Sequence, residues 1–143
     1  INNNATFTAV GAQLETDMLG ILEMIPWSED IEVNAIQGMD IGIMPLNNTS
    51  WSKGKCGYKL IQYMACGLPV VAGASGGAPD AVIQGVTGLL VDGNNLDQIA
   101  EAIVSLLNDL QSAQRMGSAG RQWIVDNWRW EIWSSQFNKL LQQ

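Results

Sequence analysis

The chain contains no histidine, which removes imidazole acid–base catalysis, Ser-His-Asp chemistry and histidine-ligated zinc from consideration. Positive charge is scarce as well. Seven Lys and Arg stand against fourteen Asp and Glu in 143 residues, a formal net charge of −7. Nucleic-acid binding needs a basic face, so no nucleic-acid partner is expected. Two cysteines, Cys56 and Cys66, are too few for a disulfide framework. Cys66 lies in the apolar end of a helical pattern and reads as a small core residue. No apolar run approaches the roughly 18–20 residues that cross a bilayer. The opening INNNATFT has neither the basic nor the apolar region of a signal peptide. These absences predict a globular protein without a membrane span, in the reducing cytoplasm.

What is present is an alternation of short strands and helices. Ala5–Gly11 reads as a strand ending in a glycine turn, and Ile21–Ile25 as a second strand closed by Pro26. Ser28 is placed to cap a helix with Glu29 and Asp30 in its first turn and Gly38 at its end. Ile41–Leu46 reads as a buried strand and Asn47–Gly57 as a polar loop at its carboxyl end. Tyr58–Cys66 has helical spacing, with Gly67 as the C′ residue and Pro69 as the stop. Pro69–Ala72 is a short strand opening into Gly73–Gly77. Pro79–Ile83 supplies one or two helical turns, and Thr87–Val91 another strand.

An amphipathic helix follows from Leu96, and beyond Asp109 the chain reads as helical, interrupted at Gly117. Four of the six tryptophans fall between Trp123 and Trp133; they read as packing anchors, with a partner surface as the alternative. The order predicts one α/β domain over residues 1–143, a doubly wound parallel sheet followed by C-terminal helices.

The few cations are not spread evenly. No Lys or Arg occurs in the first 52 residues, and none between Lys59 and Arg115, so Lys53, Lys55 and Lys59 form an isolated cluster. Lys59 falls in the first turn of the helix at Tyr58 and Lys55 just ahead of it, where positive charge opposes the helix dipole. That placement points to an anion at the helix N-terminus, a diphosphate above all. Solvated lysines on a surface loop are the alternative. Gly73–Gly77, after one strand and before a helix, is a second candidate ligand loop, with a plain tight turn as its alternative. Parallel strands bring their carboxyl ends together, so both loops are expected on one crevice rim. Asp80 lies just beyond the glycines, within reach of a ligand, whereas Asp40 at a strand start reads as structural.

Asp40–Leu46 (DIGIMPL), Gln62–Ala72 (QYMACGLPVVA), Ser75–Asp80 (SGGAPD), Gly85–Val91 (GVTGLLV) and the helix from Leu96 follow one another as in glycosyltransferase family 4. The chain resembles the C-terminal, donor-binding domain of those retaining GT-B enzymes over about residues 20–140. The resemblance implies a Rossmann-like fold and a nucleotide diphosphate sugar as ligand, with no metal and no cofactor. Lys55 and Lys59 would then serve the diphosphate with Lys53 at the rim, Gln62 the ribose, and Ser75, Gly76 and Gly77 the sugar or phosphate, with Asp80 as a weaker candidate. No residue of the chain is assigned a catalytic role. The family's paired glutamates, spaced Glu-x7-Glu, correspond here to Gly54 and Gln62, so both are replaced. The resemblance also implies an acceptor-binding domain and an opening strand and helix outside these residues. The chain is therefore expected to be a piece that is inactive alone. The alternative is a non-catalytic nucleotide or phosphosugar binder, or a module that forms a homodimer through an exposed sheet edge.

Overall fold

The computed structural model describes residues 5–12 and 22–142. The chain divides into two compact units, Ile1–Asp40 and Ile41–Gln143. In the first, β1 (Phe7–Val10) and β2 (Leu22–Ile25) pair in parallel, Phe7 opposite Leu22 and Val10 opposite Ile25. The second strand was expected from Ile21, which lies outside the described residues. Gly11 closes β1 at φ +72°, and a Cβ there would stand 2.9 Å from that of Trp27. Helix α1 (Glu29–Gln37) starts where expected, but the Ser28 side chain makes no capping bond. Its carbonyl instead accepts from the N–H groups of Ile31 and Glu32.

In the second unit β3 (Gly42–Met44), β4 (Val70–Gly73) and β5 (Gly88–Val91) form a parallel sheet in the order β3-β4-β5. Among the described residues the strands thus fall in one two-stranded and one three-stranded parallel sheet. Between β3 and β4 lie α2 (Ser50–Lys53) and α3 (Tyr58–Ala65), and between β4 and β5 the single turn α4 (Ala78–Ala81). Three helices follow β5: α5 (Leu96–Asn108), α6 (Leu110–Asn127) and α7 (Trp130–Leu141). Helix α2 falls inside a segment read from sequence as loop. Four residues are too few for a periodic pattern, and the helix is set by Thr49, whose hydroxyl accepts from the N–H of Ser52 at 3.2 Å.

Alternation along β4 explains why helices cover both faces of this sheet. Val70 and Ala72 join Leu60 and Met64 of α3, Ala78 and Ala81 of α4 and Ile124 of α6 in one core. Val71 joins Ala102 and Leu106 of α5 and Ala113 and Met116 of α6 in the other. That is the doubly wound arrangement. Helix α3 ends as a Schellman motif: Gly67, at φ +84°, donates to the carbonyl of Met64 at 2.9 Å, and Leu68 to that of Tyr63 at 3.0 Å.

Helix α6 contributes to both cores because it crosses the amino ends of β4 and β5, and two glycines let it do so. A Cβ on Gly117 would overlap the carbonyl oxygen of Gly67, and one on Gly120 would press on that of Thr87. Gly117 is therefore a contact point inside an 18-residue helix, not the break expected from the sequence. The break falls at Trp128. Trp123 and Trp128 pack on the first core as anchors, while Trp130 and Trp133 stay exposed. Cys66, expected in the core, is only half-buried, because it is the last residue before the chain leaves α3 for Gly67; neither cysteine forms a disulfide among the described residues.

Candidate functional site

The carboxyl ends of β3, β4 and β5 meet at Leu46. Its carbonyl oxygen lies so close to both Gly73 and Gly93 that a Cβ on either would overlap it. Three loops leave this junction. Asn47–Gly57 follows β3, Ala74–Gly77 follows β4, and Asp92–Asn95 follows β5. An open cavity of about 430 Å³ lies among them, lined by Leu46, Asn48, Ser75, Asp92, Gly93 and Asn94 with their neighbours. Such a rim, at the carboxyl edge of a parallel sheet, is where doubly wound folds receive ligands.

The lysine loop and the glycine loop are joined backbone to backbone. The N–H of Gly77 donates to the carbonyl oxygen of Lys55 at 2.8 Å. A Cβ on Gly76 would collide with the carbonyl oxygens of Lys55 and Ser52, and one on Gly77 with that of Cys56. Gly76 also holds φ at +59°, a conformation that L side chains rarely adopt. These glycines are needed because main chain packs on main chain. The N–H of Gly77 is engaged within the protein in this arrangement.

The lysine loop is itself braced. Asn47 Oδ1 accepts from the hydroxyls of Ser52 at 2.7 Å and Thr49 at 3.0 Å, and Ser52 is buried. This network holds α2 and fixes where the loop turns toward α3. Sequence reading missed it, although Asn-Asn-Thr-Ser after a strand is a recognisable turn and cap signal.

Helix α3 begins at Gly57, in the left-handed region at φ +78°, with no side chain capping it and no carboxylate in its first turn. Lys59 is its second residue. Lys53 ends α2, and all three lysines are exposed. The ammonium of Lys55 sits 4.8 Å from the centre of the Trp51 ring, and that of Lys59 sits 6.0 Å from the centre of the Tyr58 ring. Gln62 lies half-buried one turn into α3. Ser75 is buried, and its Oγ has no hydrogen-bond partner among the described residues. Asp80 is exposed on α4.

The structure thus brings Lys55, Gly76 and Gly77 into contact, with Lys59 on the helix that starts two residues after Lys55's neighbour Cys56. The β5 loop is an unforeseen part of the rim. There Asp92 accepts from the N–H of Asn94 at 2.9 Å, and its own N–H donates to Gln98 at 3.1 Å. The Asp-Gly-Asn-Asn run is a turn signal, and its position after a strand was the clue.

A parallel sheet covered on both faces, with glycine-bearing loops gathered at its carboxyl edge and an uncapped helix N-terminus beside a lysine cluster, defines a doubly wound domain of the ligand-binding kind. Residues 13–123 match the family described as glycosyl transferases group 1, and the chain belongs to that family. It is 47% identical over 85 residues to the GDP-mannose-dependent alpha-(1-6)-phosphatidylinositol monomannoside mannosyltransferase of Mycolicibacterium smegmatis, an overlap of 59% of this chain and 22% of that protein. It is 36% identical over 112 residues to the GDP-mannose-dependent monoacylated alpha-(1-6)-phosphatidylinositol monomannoside mannosyltransferase of Corynebacterium glutamicum, covering 77% of this chain and 29% of the relative. Among solved structures, sucrose-phosphate synthase from Thermosynechococcus elongatus superposes with a TM-score of 0.73 at 27% identity, over 87% of this chain and 30% of that one. The chain therefore spans less than a third of the length of these proteins.

Proposed function

We propose that the chain is the donor-binding part of a retaining glycosyltransferase that, in a full-length enzyme, moves a sugar from a nucleotide diphosphate sugar to an acceptor. The names of the two mannosyltransferase relatives make GDP-mannose the first donor to test. The observation that carries the reading is the bond from Gly77 to Lys55, which ties both candidate loops together beside the uncapped start of α3. A diphosphate there would meet the ammonium groups of Lys55 and Lys59 and the positive end of the helix dipole, with Lys53 at the rim. As the glycosidic bond to the donor breaks, charge builds on the leaving diphosphate, and fixed cations and N–H groups stabilise it. Gln62 would hydrogen-bond the ribose as donor or acceptor. Ser75, whose Oγ has no partner among the described residues, would take a sugar or phosphate oxygen. Asp80 is a further candidate for a sugar hydroxyl.

Each unit pairs its described strands in parallel, β1 with β2 in one and β3-β4-β5 in the other, as the strands of doubly wound folds do. This supports reading residues 1–143 as part of one donor-binding domain. The reading carries a cytoplasmic location with it, and an acceptor-binding domain supplied by the rest of the enzyme. The isolated chain is then inactive.

Calorimetric titration of the 143-residue chain with GDP, UDP and ADP, beside Lys59→Ala, tests the site. Saturable binding that weakens about tenfold in the variant is expected, since one lost charge-assisted contact is worth roughly 1.5 kcal/mol. Binding indifferent to the substitution, or none with any nucleotide, would remove the diphosphate from this helix.

A second reading rests on the resemblance, which sets Gly54 and Gln62 at the positions of the family's two glutamates, as fits a module that binds a nucleotide or phosphosugar without catalysing transfer. Transfer by the full-length enzyme, measured with GDP-mannose, decides between the two.

A further inference from the structure

Trp51 sits on the short helix α2, inside the lysine loop, and its side chain is 78% exposed. It belongs to neither core. A single exposed ring carries no meaning by itself; what it touches does. The Lys55 ammonium lies 4.8 Å from its centre, well inside the roughly 6 Å over which the negative face of a ring attracts a cation. The Lys59 ammonium, at 6.0 Å from the ring of its sequence neighbour Tyr58, stands at the limit of that attraction.

The backbone under this pair is fixed. The N–H of Gly54 donates to the carbonyl of Trp51 at 3.2 Å, and that of Lys55 to the carbonyl of Ser52 at 3.1 Å. Ser52 is buried and braced by Asn47. The carbonyl of Lys55 accepts from Gly77 at 2.8 Å. Both main-chain groups of Lys55 are therefore tied to the protein, and the indole ring restrains what is left, the side chain.

We infer that Trp51 is a positioning residue of the anion site, holding the Lys55 ammonium in place for the diphosphate; the role rests on the diphosphate reading above. A lysine has a long flexible stem and loses rotamer freedom when it grips a phosphate. A stem already laid along an indole face has lost part of that freedom before the ligand arrives, so binding costs less. The contact draws on the charge and not on a hydrogen bond. The ammonium has three N–H donors, and those directed away from the ring stay available to anion oxygens. Among aromatic side chains indole attracts a cation best, so Phe at this position keeps part of the effect and Ala none. Because the ring is exposed and lies outside both cores, its removal acts on the ligand and not on the fold.

Calorimetric titration with inorganic pyrophosphate of the parent chain, Trp51→Ala, Trp51→Phe, Lys55→Ala and the Trp51→Ala/Lys55→Ala pair tests this. Trp51→Ala should weaken pyrophosphate about three- to fivefold, the scale of a cation–π contact at an exposed site. Trp51→Phe should stay within about twofold of the parent. In the Lys55→Ala background, removing the ring should change nothing, since the ring acts only through that ammonium. The contact is also read without ligand: the ring current of Trp51 should move the Lys55 ε-methylene protons upfield in the parent, and the shift should vanish in Trp51→Ala. Thermal unfolding of Trp51→Ala should match the parent. Unchanged affinity in Trp51→Ala would overturn the role, and tighter binding would overturn it by showing that the ring withholds the ammonium. So would an equal loss in the Lys55→Ala background, which would put the ring on the ligand itself. A parent that does not bind pyrophosphate removes the diphosphate reading and this role together. Binding that is lost in Lys55→Ala and untouched in Trp51→Ala removes Trp51 alone.

Discussion

Gly117 of α6 lies directly against the carbonyl of Gly67, the residue that ends α3, with no room between them for a Cβ. This contact lets one helix cross beneath the amino ends of two strands and feed both cores. Alanine normally gains about 1 kcal/mol over glycine inside a helix. Here the added methyl meets main chain, which cannot rotate away, so Gly117→Ala is expected to destabilise by about 1–3 kcal/mol. Gly38→Ala is the control, because its Cβ would meet nothing closer than 3.5 Å. It should stay within about 0.5 kcal/mol of the parent. Urea unfolding of both variants, followed by far-UV circular dichroism, reads the difference. A stabilising Gly117→Ala would refute the contact.

Leu60 and Met64 are fully buried where α3 meets the sheet, so the helix that carries Lys59 and Gln62 is held by this contact. Truncating Leu60 to Ala should cost about 2–5 kcal/mol, the range for large-to-small changes in a closed core. Tyr58→Ala, whose ring is 59% exposed on the same helix, should cost less than about 1 kcal/mol. Unfolding midpoints that fell equally in the two variants would contradict the burial.

How much of this was legible in the sequence depended on whether the signal was local. The Schellman turn at Gly67, the strand at Val70 and the amphipathic α5 follow from spacing, a glycine and a proline within a few residues of one another. The rim of loops followed from the parallel order of strands. Gly117 was misread because the same residue signals a helix end in isolation and a close approach in tertiary context. Nothing near it in sequence names Gly67 as its neighbour. The Asn47–Thr49–Ser52 brace was missed because α2 is shorter than any periodicity. The tryptophans divided because Trp123 and Trp128 have a sheet behind them and Trp130 does not, a difference that spacing does not encode.

The bond between Gly77 and Lys55 predicts that loop geometry, not charge alone, governs the proposed site. Gly76→Ala forces a side chain into the left-handed region and into two carbonyl oxygens, so it should separate the loops. All three lysines would remain. GDP affinity is expected to fall tenfold or more, a loss of about 1.4 kcal/mol or greater. Two-dimensional amide spectra should show changes concentrated at residues 52–57 and 75–78. Undiminished affinity would mean that the lysines act independently of the glycine loop.

Gln62 offers a sharper division of the proposed site, because it is assigned to the ribose and the lysines to the diphosphate. Gln62→Ala should weaken GDP by about three- to tenfold, the cost of one neutral hydrogen bond, and leave inorganic pyrophosphate unaffected. Lys55→Ala and Lys59→Ala should weaken both ligands, about tenfold each, and Lys53→Ala at the rim only about two- to threefold. Salt separates the two kinds of contact further. Raising ionic strength from about 0.01 to 0.15 M shortens the Debye length from about 30 to 8 Å, so pyrophosphate affinity should drop in the parent and drop less in the lysine variants. The effect of Gln62→Ala should not depend on salt. If the variant lost pyrophosphate as strongly as GDP, Gln62 would be supporting the helix rather than touching the ribose.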